Sequence, residues 1–366
     1  MKMMAMILFM LLPILGLAYV GWHVWTLVPL PAGWRVGLIV LGVLSFLALF
    51  LVVSRTIDGW PMWLARLTYD VGCTSIFVLL YLVMTFLVLD LGRLAHLVPA
   101  RLLHQNVYTT IAITIALFVV FMLGNVHYYH KARRELAFTT EKQLSRPLRL
   151  VMMSDLHLGY HNPRRELSRW VDMVNREKPD LVLIAGDIID MSMRPLDDEH
   201  MAEELRRIEA PVYACLGNHE YYSGEPKAQQ FYDEAGIHLL RDSAAVVGDL
   251  CIVGRDDRTN PHRKSLHQIM EEASGQRSLF TILLDHQPYH LEEAEREGID
   301  LQLSGHTHYG QVWPISWIED AMYECAYGSH RRGNTHYYVS SGIGIWGGKY
   351  RIGTRSEYVV YRLSDK

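Results

Sequence analysis

The sequence predicts an α/β domain that follows an all-α bundle of four transmembrane helices. The first observation is the distribution of charge: residues 1–130 carry only nine of the chain's 35 basic and 39 acidic side chains. The second is a series of long apolar runs within those 130 residues. The third is a series of short apolar runs after residue 147, each of which ends in a polar side chain. One part of the chain is therefore suited to lipid and the other to water.

Four apolar segments predict the membrane-spanning helices. The clearest is Val36–Val53, an 18-residue run in which Ser45 is the only polar residue. Such a run is long enough for a tilted or slightly short membrane helix. Any one segment alone could be a buried core helix, but four with almost no amphipathic period favour a membrane bundle. The other three segments are Met3–Trp22, Val71–Leu89 and Thr109–Val126.

The first segment also has one feature of a signal peptide, because Lys2 provides a minimal basic start. Its apolar stretch is longer than a usual signal core and no clear cleavage site follows, which favours a retained helix.

The basic residues near the segment ends predict the orientation in the membrane. Six of them share the side of the N-terminus and three lie on the other side. Since cytoplasmic loops carry the excess of Lys and Arg, we expect a multi-pass protein of the inner (plasma) membrane with the soluble part in the cytoplasm. The six are Lys2, Arg55, Arg66, Lys131, Arg133 and Arg134, and the three are Arg35, Arg93 and Arg101.

Cysteine and charge content disfavour three kinds of protein. Cys73, Cys215, Cys251 and Cys325 are widely spaced without a Cys-X-X-Cys pair, so we expect neither a thiolate zinc site nor a disulfide framework. Without the six basic and three acidic residues of its first part, the chain has 29 basic and 36 acidic residues. This acidic balance argues against a general nucleic-acid binder.

The soluble part alternates between predicted strands and helices. Residues 164–178 place Leu167, Trp170, Val171 and Val174 at the spacing of one helical face. Short apolar runs predict strands at 148–155, 181–187, 212–218, 280–286 and 301–306. Residues 131–147 are charged and are expected to form a linker. The expected divisions are therefore 1–130, 131–147 and 148–366.

Each predicted strand ends in side chains that can bind a metal ion. In an open α/β sheet, residues beyond the carboxyl ends of the strands converge on one crevice. Each motif alone has an ordinary explanation, such as a helix cap or a turn. Together they supply two carboxylates, one amide and four imidazoles, which suit two borderline divalent metals. The motifs are Asp155-Leu156-His157, Gly186-Asp187, Gly217-Asn218-His219-Glu220, Asp285-His286 and Gly305-His306-Thr307-His308.

The order of these motifs, D-X-H, G-D, G-N-H-E, H and G-H-X-H, resembles the calcineurin-like metallophosphoesterase superfamily over about residues 148–363. The apolar helices, "GHTHYGQ" and "SSGIGIWGGKYRIG" make the chain most similar to the bacterial membrane-associated branch. That branch includes enzymes related to the pyrophosphatases of UDP-diacylglucosamine. The resemblance implies a β-sandwich flanked by helices. Glu220 stands where Asp is commoner, and because either carboxylate can orient His219 we expect little consequence.

The resemblance also implies the roles of the site residues. Seven side chains are expected to bind two divalent ions: Asp155, His157 and His308 the first, Asn218, His286 and His306 the second, and Asp187 both. Two ions about 3.5 to 4 Å apart can share a hydroxide and stabilise the oxygens that enter and leave phosphorus. His219 is expected to polarise a phosphoryl oxygen or protonate the leaving group, with Asp187 as the second catalytic residue. Mn²⁺ is the expected metal, and Fe and Zn²⁺ also suit ligands without thiolates.

The expected reaction is hydrolysis of a phosphodiester or pyrophosphate bond. The membrane segments favour a lipid-linked substrate in the bilayer, such as a phospholipid or a nucleotide-lipid. Aromatic and basic residues that follow the last candidate ligand could rim the site at an acyl-phosphate boundary, although taken one by one such residues are more often ordinary core tryptophans and solvated arginines. They are Trp313, Trp317, Trp346, Arg331, Arg332, Lys349 and Arg351.

Three other functions remain open at this level. The first is a phosphodiesterase or phosphatase for a soluble substrate that is merely anchored to the membrane. The second is a non-catalytic membrane sensor or scaffold, although such a domain is expected to have lost a ligand. The third is a transporter, which Asp58, Asp70 and Asp90 disfavour because they lie at segment ends rather than mid-membrane. No pattern indicates an oligomeric state.

Overall fold

The computed structural model describes residues 2–366, with side chains from residue 11 onward, and divides into two compact units. The first unit ends at Gly124 and the second runs from Asn125 to Lys366. Four apolar helices precede the first strand: α1 (Lys2–Leu27), α2 (Ala32–Val53), α3 (Met62–Leu94) and α4 (Val107–Tyr129). The last five residues of α4 belong to the second unit.

Among the described residues, three helices are long and apolar enough to cross a membrane. They are α2, α3 and α4. The described apolar part of α1 is the shorter stretch Leu11–Leu27. The first predicted segment, Met3–Trp22, begins outside the residues whose side chains are described. The helices also extend beyond the predicted segments, because hydropathy marks the lipid-suited part of a helix rather than its ends.

Two features hold the helices of the first unit together. A Cβ on Gly72 of α3 would lie 2.7 Å from the Leu49 nitrogen of α2, so glycine lets these backbones approach closely. Asp90 lies within α3, where its carboxylate accepts a hydrogen bond from the Tyr19 hydroxyl at 2.6 Å and lies 3.0 Å from His23 Nε2. These polar contacts join α1 to α3.

The second unit contains two six-stranded mixed sheets. Their strands are β1 (Ala132–Thr140), β2 (Leu148–Met153), β3 (Leu181–Ala185), β4 (Val212–Cys215), β5 (His238–Leu239), β6 (Ser243–Val247), β7 (Leu250–Gly254), β8 (Phe280–Leu284), β9 (Leu301–Ser304), β10 (Gly328–Arg332), β11 (Thr335–Val339) and β12 (Glu357–Asp365). The first sheet has the order β1-β12-β2-β3-β4-β5 and the second β10-β11-β9-β8-β7-β6. Strands β2, β3 and β4 run parallel, as do β7, β8 and β9. The five strands predicted from apolar runs are confirmed, each with a slightly earlier end.

Helices connect most of the parallel strands. They are α5 (Arg164–Arg176), α6 (Arg194–Asp198), α7 (Met201–Leu205), α8 (Asn218–Ser223), α9 (Glu225–Glu234), α10 (Leu266–Glu272), α11 (Leu291–Arg296) and α12 (Ile315–Met322). The helix predicted over 164–178 is α5, and its predicted core residues Leu167, Trp170, Val171 and Val174 are all buried. The four cysteines are free and buried.

The central strands bury side chains on both faces. On β3, Leu183 packs in a cluster with Ile282 of the second sheet, whereas Val182 packs with Trp170 of α5. The outer face of the second sheet packs against α10 and α11. Burial on two faces explains why these strands are nearly continuous apolar runs. Each buried large aliphatic side chain contributes about 1.5 to 3 kcal/mol.

Residues 132–140 form strand β1 rather than part of the charged linker expected over 131–147. β1 pairs in parallel with β12 along nine residues. Leu136 and Phe138 pack against the cluster that both sheets share, while Arg133 and Glu135 are exposed. A strand at the edge of a sheet with one solvent face carries many charges, and this composition concealed it.

Candidate dinuclear metal site

Side chains from the strand ends of both sheets meet in one place. The first sheet contributes Asp155 after β2, Asp187 after β3 and Asn218 after β4, and the second contributes His286 after β8 and His306 after β9. Parallel strands end on the same edge of a sheet, so neighbouring strands deliver their following residues to one crevice. The structure thus brings together the predicted site residues from both sheets.

One cluster consists of Asp155, His157 and His308. The Nε2 atoms of the two histidines are 3.1 Å apart. Asp155 Oδ1 lies 3.9 Å from His157 Nε2 and 3.5 Å from His308 Nε2. Ligand atoms bonded at about 2.0 to 2.2 Å to one ion lie about 3 to 3.5 Å apart, so these three atoms have close to the spacing that an ion requires.

A second cluster consists of Asp187, His286 and His306. Asp187 Oδ2 lies 3.0 Å from His286 Nε2 and 3.7 Å from His157 Nε2 in the first cluster. The Asp187 carboxylate therefore stands between the two groups of imidazoles. Asn218 joins the second cluster, with Oδ1 2.9 Å from His306 Nδ1.

Unpaired buried atoms show that the donors fit metal ions. Within the described part of the chain, Asp155 Oδ2 and His308 Nδ1 are buried without a hydrogen-bond partner. An unpaired buried polar atom costs about 1 to 3 kcal/mol, and a coordinated cation would remove that cost at Asp155 Oδ2. Carboxylate oxygens and imidazole nitrogens are suitable donors for Mn²⁺, Fe or Zn²⁺.

The backbone at the site is held in an uncommon conformation. Five of the seven predicted ligands have positive φ angles: Asp155 (53°), His157 (45°), Asp187 (53°), His306 (73°) and His308 (49°). A non-glycine residue in this region costs on the order of 1 kcal/mol or more and persists where the surrounding structure enforces it. Such residues concentrate at functional sites, which agrees with the clustering of their side chains.

Two glycines let the backbone approach the candidate ligands closely. A Cβ on Gly217 would lie 2.2 Å from Asp187 Oδ1, and a Cβ on Gly305 would lie 2.3 Å from Asp155 Oδ2. Both distances are far below carbon–oxygen contact. The glycines that the sequence places beside these motifs are therefore needed for space around the carboxylates.

The protonation states of His306, His308 and Asp187 favour cation binding. Burial lowers the pKa of His306 to about 3 and lowers the pKa of His308 well below its usual value. Burial alone would raise the pKa of Asp187, but the charges of His286 and His219 hold that pKa well below its usual value. Burial alone would lower the pKa of His286, but the charge of Asp187 raises it well above its usual value, so a cation there would replace a proton. Neutral imidazoles and an ionised carboxylate are the forms that coordinate metals.

Asp190 orients two of the histidines and was missed in the sequence. Its Oδ1 lies 3.2 Å from His157 Nδ1, and its backbone oxygen lies 2.7 Å from His219 Nδ1. Partners of this kind fix the tautomer and orientation of an imidazole. The available signal was a second carboxylate three residues after Asp187.

We expected Glu220 to orient His219, but in the structure Glu220 has a different role. Its carboxylate accepts hydrogen bonds from the backbone nitrogens of Gly217 (2.7 Å), Asp187 (3.2 Å) and Ile189 (3.0 Å). Burial and the nearby Asp187 raise the pKa of Glu220 to about 7. Glu220 therefore fixes the loop that carries Asp187, while Asp190 holds His219.

The aromatic and basic residues proposed to rim the site differ in their exposure. Arg351 is fully buried and donates to the backbone oxygens of His308 (2.7 Å) and Gly344 (2.9 Å), so it supports the ligand loop instead of facing substrate. Its guanidinium is satisfied by carbonyls, a set of contacts that sequence alone does not indicate. By contrast, Trp313 and Trp317 are 40% and 65% exposed.

Tyr128, in the last turn of α4, contacts residues that hold a candidate ligand in position. Its hydroxyl lies 2.5 Å from Asn162 Oδ1 and 2.7 Å from Glu166 Oε2. Asn162 Nδ2 in turn donates to the backbone oxygens of Leu156 (3.1 Å) and His157 (3.0 Å). A short chain of hydrogen bonds therefore links the end of α4 to a candidate ligand. The apolar sequence of α4 did not indicate this chain of hydrogen bonds.

Comparison with solved structures matches part of the chain to the 5′-nucleotidase precursor of Thermus thermophilus. The two share 16% sequence identity with a TM-score of 0.39, over 54% of this chain and 49% of that one.

Sequence comparisons identify the family. Residues 148–310 match the family model described as calcineurin-like phosphoesterase. A Danio rerio protein named transmembrane protein with metallophosphoesterase domain is 32% identical over 348 residues, covering 86% of this chain and 78% of that protein. Phosphodiesterase YaeI of Escherichia coli (strain K12) is 29% identical over 260 residues, covering 66% of this chain and 92% of that protein. The chain therefore belongs to the calcineurin-like phosphoesterase family and is a metal-dependent phosphoric ester hydrolase.

Proposed function

We propose that the chain is a membrane-anchored phosphoesterase that uses two divalent ions to hydrolyse a phosphodiester or pyrophosphate bond in a lipid-linked substrate. The position of Asp187 carries this proposal. Its Oδ2 lies 3.7 Å from His157 Nε2 and 3.0 Å from His286 Nε2, which supports its assignment as the carboxylate that would hold both ions. In this assignment Asp155, His157 and His308 complete one site, and Asn218, His286 and His306 complete the other.

The bound ions would supply Lewis acidity, which lowers the pKa of a water molecule and balances the charge that develops at phosphorus. Mn²⁺ is the metal we propose first, and the same donors suit Fe and Zn²⁺. His219 Nδ1 lies 2.7 Å from the Asp190 backbone oxygen, which holds a proton on that nitrogen. Nε2 is then the atom of His219 available to a phosphoryl or leaving oxygen.

The apolar helices support a substrate in the membrane. α4 ends at Tyr129 and β1 begins at Ala132, so only two residues separate a candidate span from the catalytic fold. An enzyme joined so closely to a membrane helix meets lipid substrates at high effective concentration. We propose that α1 is the fourth span, that both termini lie in the cytoplasm, and that the two sheets form a β-sandwich.

The test is a comparison of substrates with the full chain. The protein in lipid nanodiscs, loaded with Mn²⁺, is assayed on a nucleotide-lipid pyrophosphate or a phospholipid in the disc and on a soluble chromogenic phosphodiester. We expect the higher kcat/KM for a lipid, and a loss of turnover on the order of 10³-fold or more in Asp187→Asn, which controls for contaminating hydrolases.

A preference for the soluble ester would favour an enzyme that is merely anchored. This alternative retains the metal site and changes only the substrate. Turnover of neither class by a protein with two bound ions would contradict the catalytic assignment itself.

A further inference from the structure

α12 exposes large apolar side chains although it belongs to the second unit. Trp317, Ile318 and Met322 are 65%, 57% and 58% exposed, and Trp313, just before the helix, is 40% exposed. Each of the eight residues of α12 retains exposed surface. A contiguous apolar surface of this kind on a folded domain marks contact with another protein or with lipid.

α12 is directly connected to the metal site. A Cβ on Gly310, two residues after His308, would lie 2.4 Å from the Ser316 nitrogen, so the ligand loop packs against the first turn of α12. At the other end of the helix, the ring of Tyr323 lies 6.4 Å from the ring of His306. Both ends of α12 therefore lie beside segments that carry candidate ligands.

Hydrogen bonds through one loop link the segment before α12 to the end of α4. The Trp313 backbone nitrogen donates to the Ile352 oxygen at 2.7 Å. In the same segment, the Lys349 oxygen accepts a hydrogen bond from Asn125 Nδ2 at 2.9 Å. Asn125 lies in the last two turns of α4, and the carboxyl end of a spanning helix lies at the membrane surface. Residues 349–352 thus contact both the end of a candidate span and the start of the exposed apolar surface.

We propose that Trp313 and the exposed face of α12 form a lipid-contacting surface that enters the interfacial layer of the membrane in which the chain is anchored. Trp is the side chain that prefers this layer, because its ring is apolar while its N–H remains hydrated. Asp320 on the same helix is exposed, so the contact is apolar rather than electrostatic and does not need anionic lipid. The delivery of a lipid substrate along this surface rests on the function proposed above, whereas the membrane contact does not.

Fluorescence quenching tests the contact directly. Met322→Cys is labelled with an environment-sensitive dye in the full chain, in phosphatidylcholine vesicles with or without brominated acyl chains. The four native cysteines are buried, which directs the label to the new thiol. The matched control is Val246→Cys on β6, where an apolar side chain is 49% exposed at the edge of the second sheet. We expect brominated lipid to quench the label at 322 and not at 246.

Equal quenching at both positions, or none at 322, would overturn the proposal. Retention of soluble phosphodiester turnover by each labelled variant shows that it is folded. Trp317→Ser combined with Ile318→Ser should lower the ratio of lipid to soluble-ester turnover by about tenfold, since two large apolar side chains no longer enter the membrane. Quenching at 322 without any lipid turnover supports the surface and refutes the lipid substrate, so the two proposals fail separately.

Discussion

Gly217→Ala places a methyl group against the carboxylate proposed to bridge the two ions. Gly217 has a φ of −110°, which alanine adopts without strain, so the added Cβ is the main change. That Cβ would lie 2.2 Å from Asp187 Oδ1 and 2.7 Å from the Asp187 nitrogen. The substitution therefore tests the effect of steric crowding at Asp187 without adding backbone strain.

The size of the effect follows from these distances. Heavy atoms need a separation of about 3.5 Å, so the carboxylate must move by about 1 Å. Asp187 Oδ1 accepts a hydrogen bond from the His219 nitrogen at 2.9 Å, and Glu220 holds the Asp187 nitrogen at 3.2 Å, so the loop has little freedom to follow. A displacement of about 1 Å at a catalytic centre costs about 100-fold in rate. We expect that loss in kcat and a fall in bound metal from two ions towards one.

The assay measures turnover of a soluble phosphodiester and metal content by elemental analysis on the full chain in detergent. The control is Gly275→Ala, because a Cβ there meets nothing within 4 Å. We expect this control to match the parent protein. Circular dichroism establishes that Gly217→Ala is folded. A folded Gly217→Ala protein with two ions and full activity would refute the reasoning.

Four further outcomes are expected. Asp187→Asn should lower activity on the order of 10³-fold or more and reduce bound metal towards one ion or none, because an amide is a poor bridge. His219→Ala should keep both ions and slow turnover by about 10²- to 10⁴-fold, most for esters with poor leaving groups. Tyr128→Phe should weaken metal binding by about tenfold in a titration, as for other residues that support a ligand, while Tyr129→Phe, at an exposed ring, should not. A reporter fused after Lys366 should lie in the cytoplasm, because an even number of spans returns the chain to the side of Lys2.

Each of these expectations has a result that contradicts it. Two ions and full turnover in Asp187→Asn would mean that the bridge is misassigned. Equal losses on activated and unactivated esters would remove His219 from the acid role. Identical metal affinities for the two tyrosine variants would leave Tyr128 with only a structural role. An external reporter would mean that one apolar segment does not span.

The sequence by itself determined the family and the residues that are candidates for the site. The motifs lie directly after apolar strands, and strand formation depends on short local patterns that can be read without a partner. The ends of adjacent parallel strands must meet, so the amino-acid order alone was enough to expect Asp155, Asp187 and Asn218 together. The core face of α5 was predictable for the same reason, since helical periodicity is local.

Contacts between distant parts of the chain were decided only by the tertiary structure. Strand β1 exists because β12, at the other end of the domain, pairs with it, and its own charged composition does not indicate that pairing. Glu220 fixes the loop of Asp187, and Asp190 holds His219, because the loops after β3 and β4 are packed side by side.

Burial likewise depends on neighbours that a sequence pattern does not contain. Arg351 and Trp317 both follow the last candidate ligand, and their residue types suggested an exposed cation and a tryptophan of the core or the rim. In the folded chain the arginine is fully buried among carbonyl oxygens, while the tryptophan is 65% exposed. The side chains that surround a residue, and not its own polarity, determine whether it supports the site from within or is exposed at the surface.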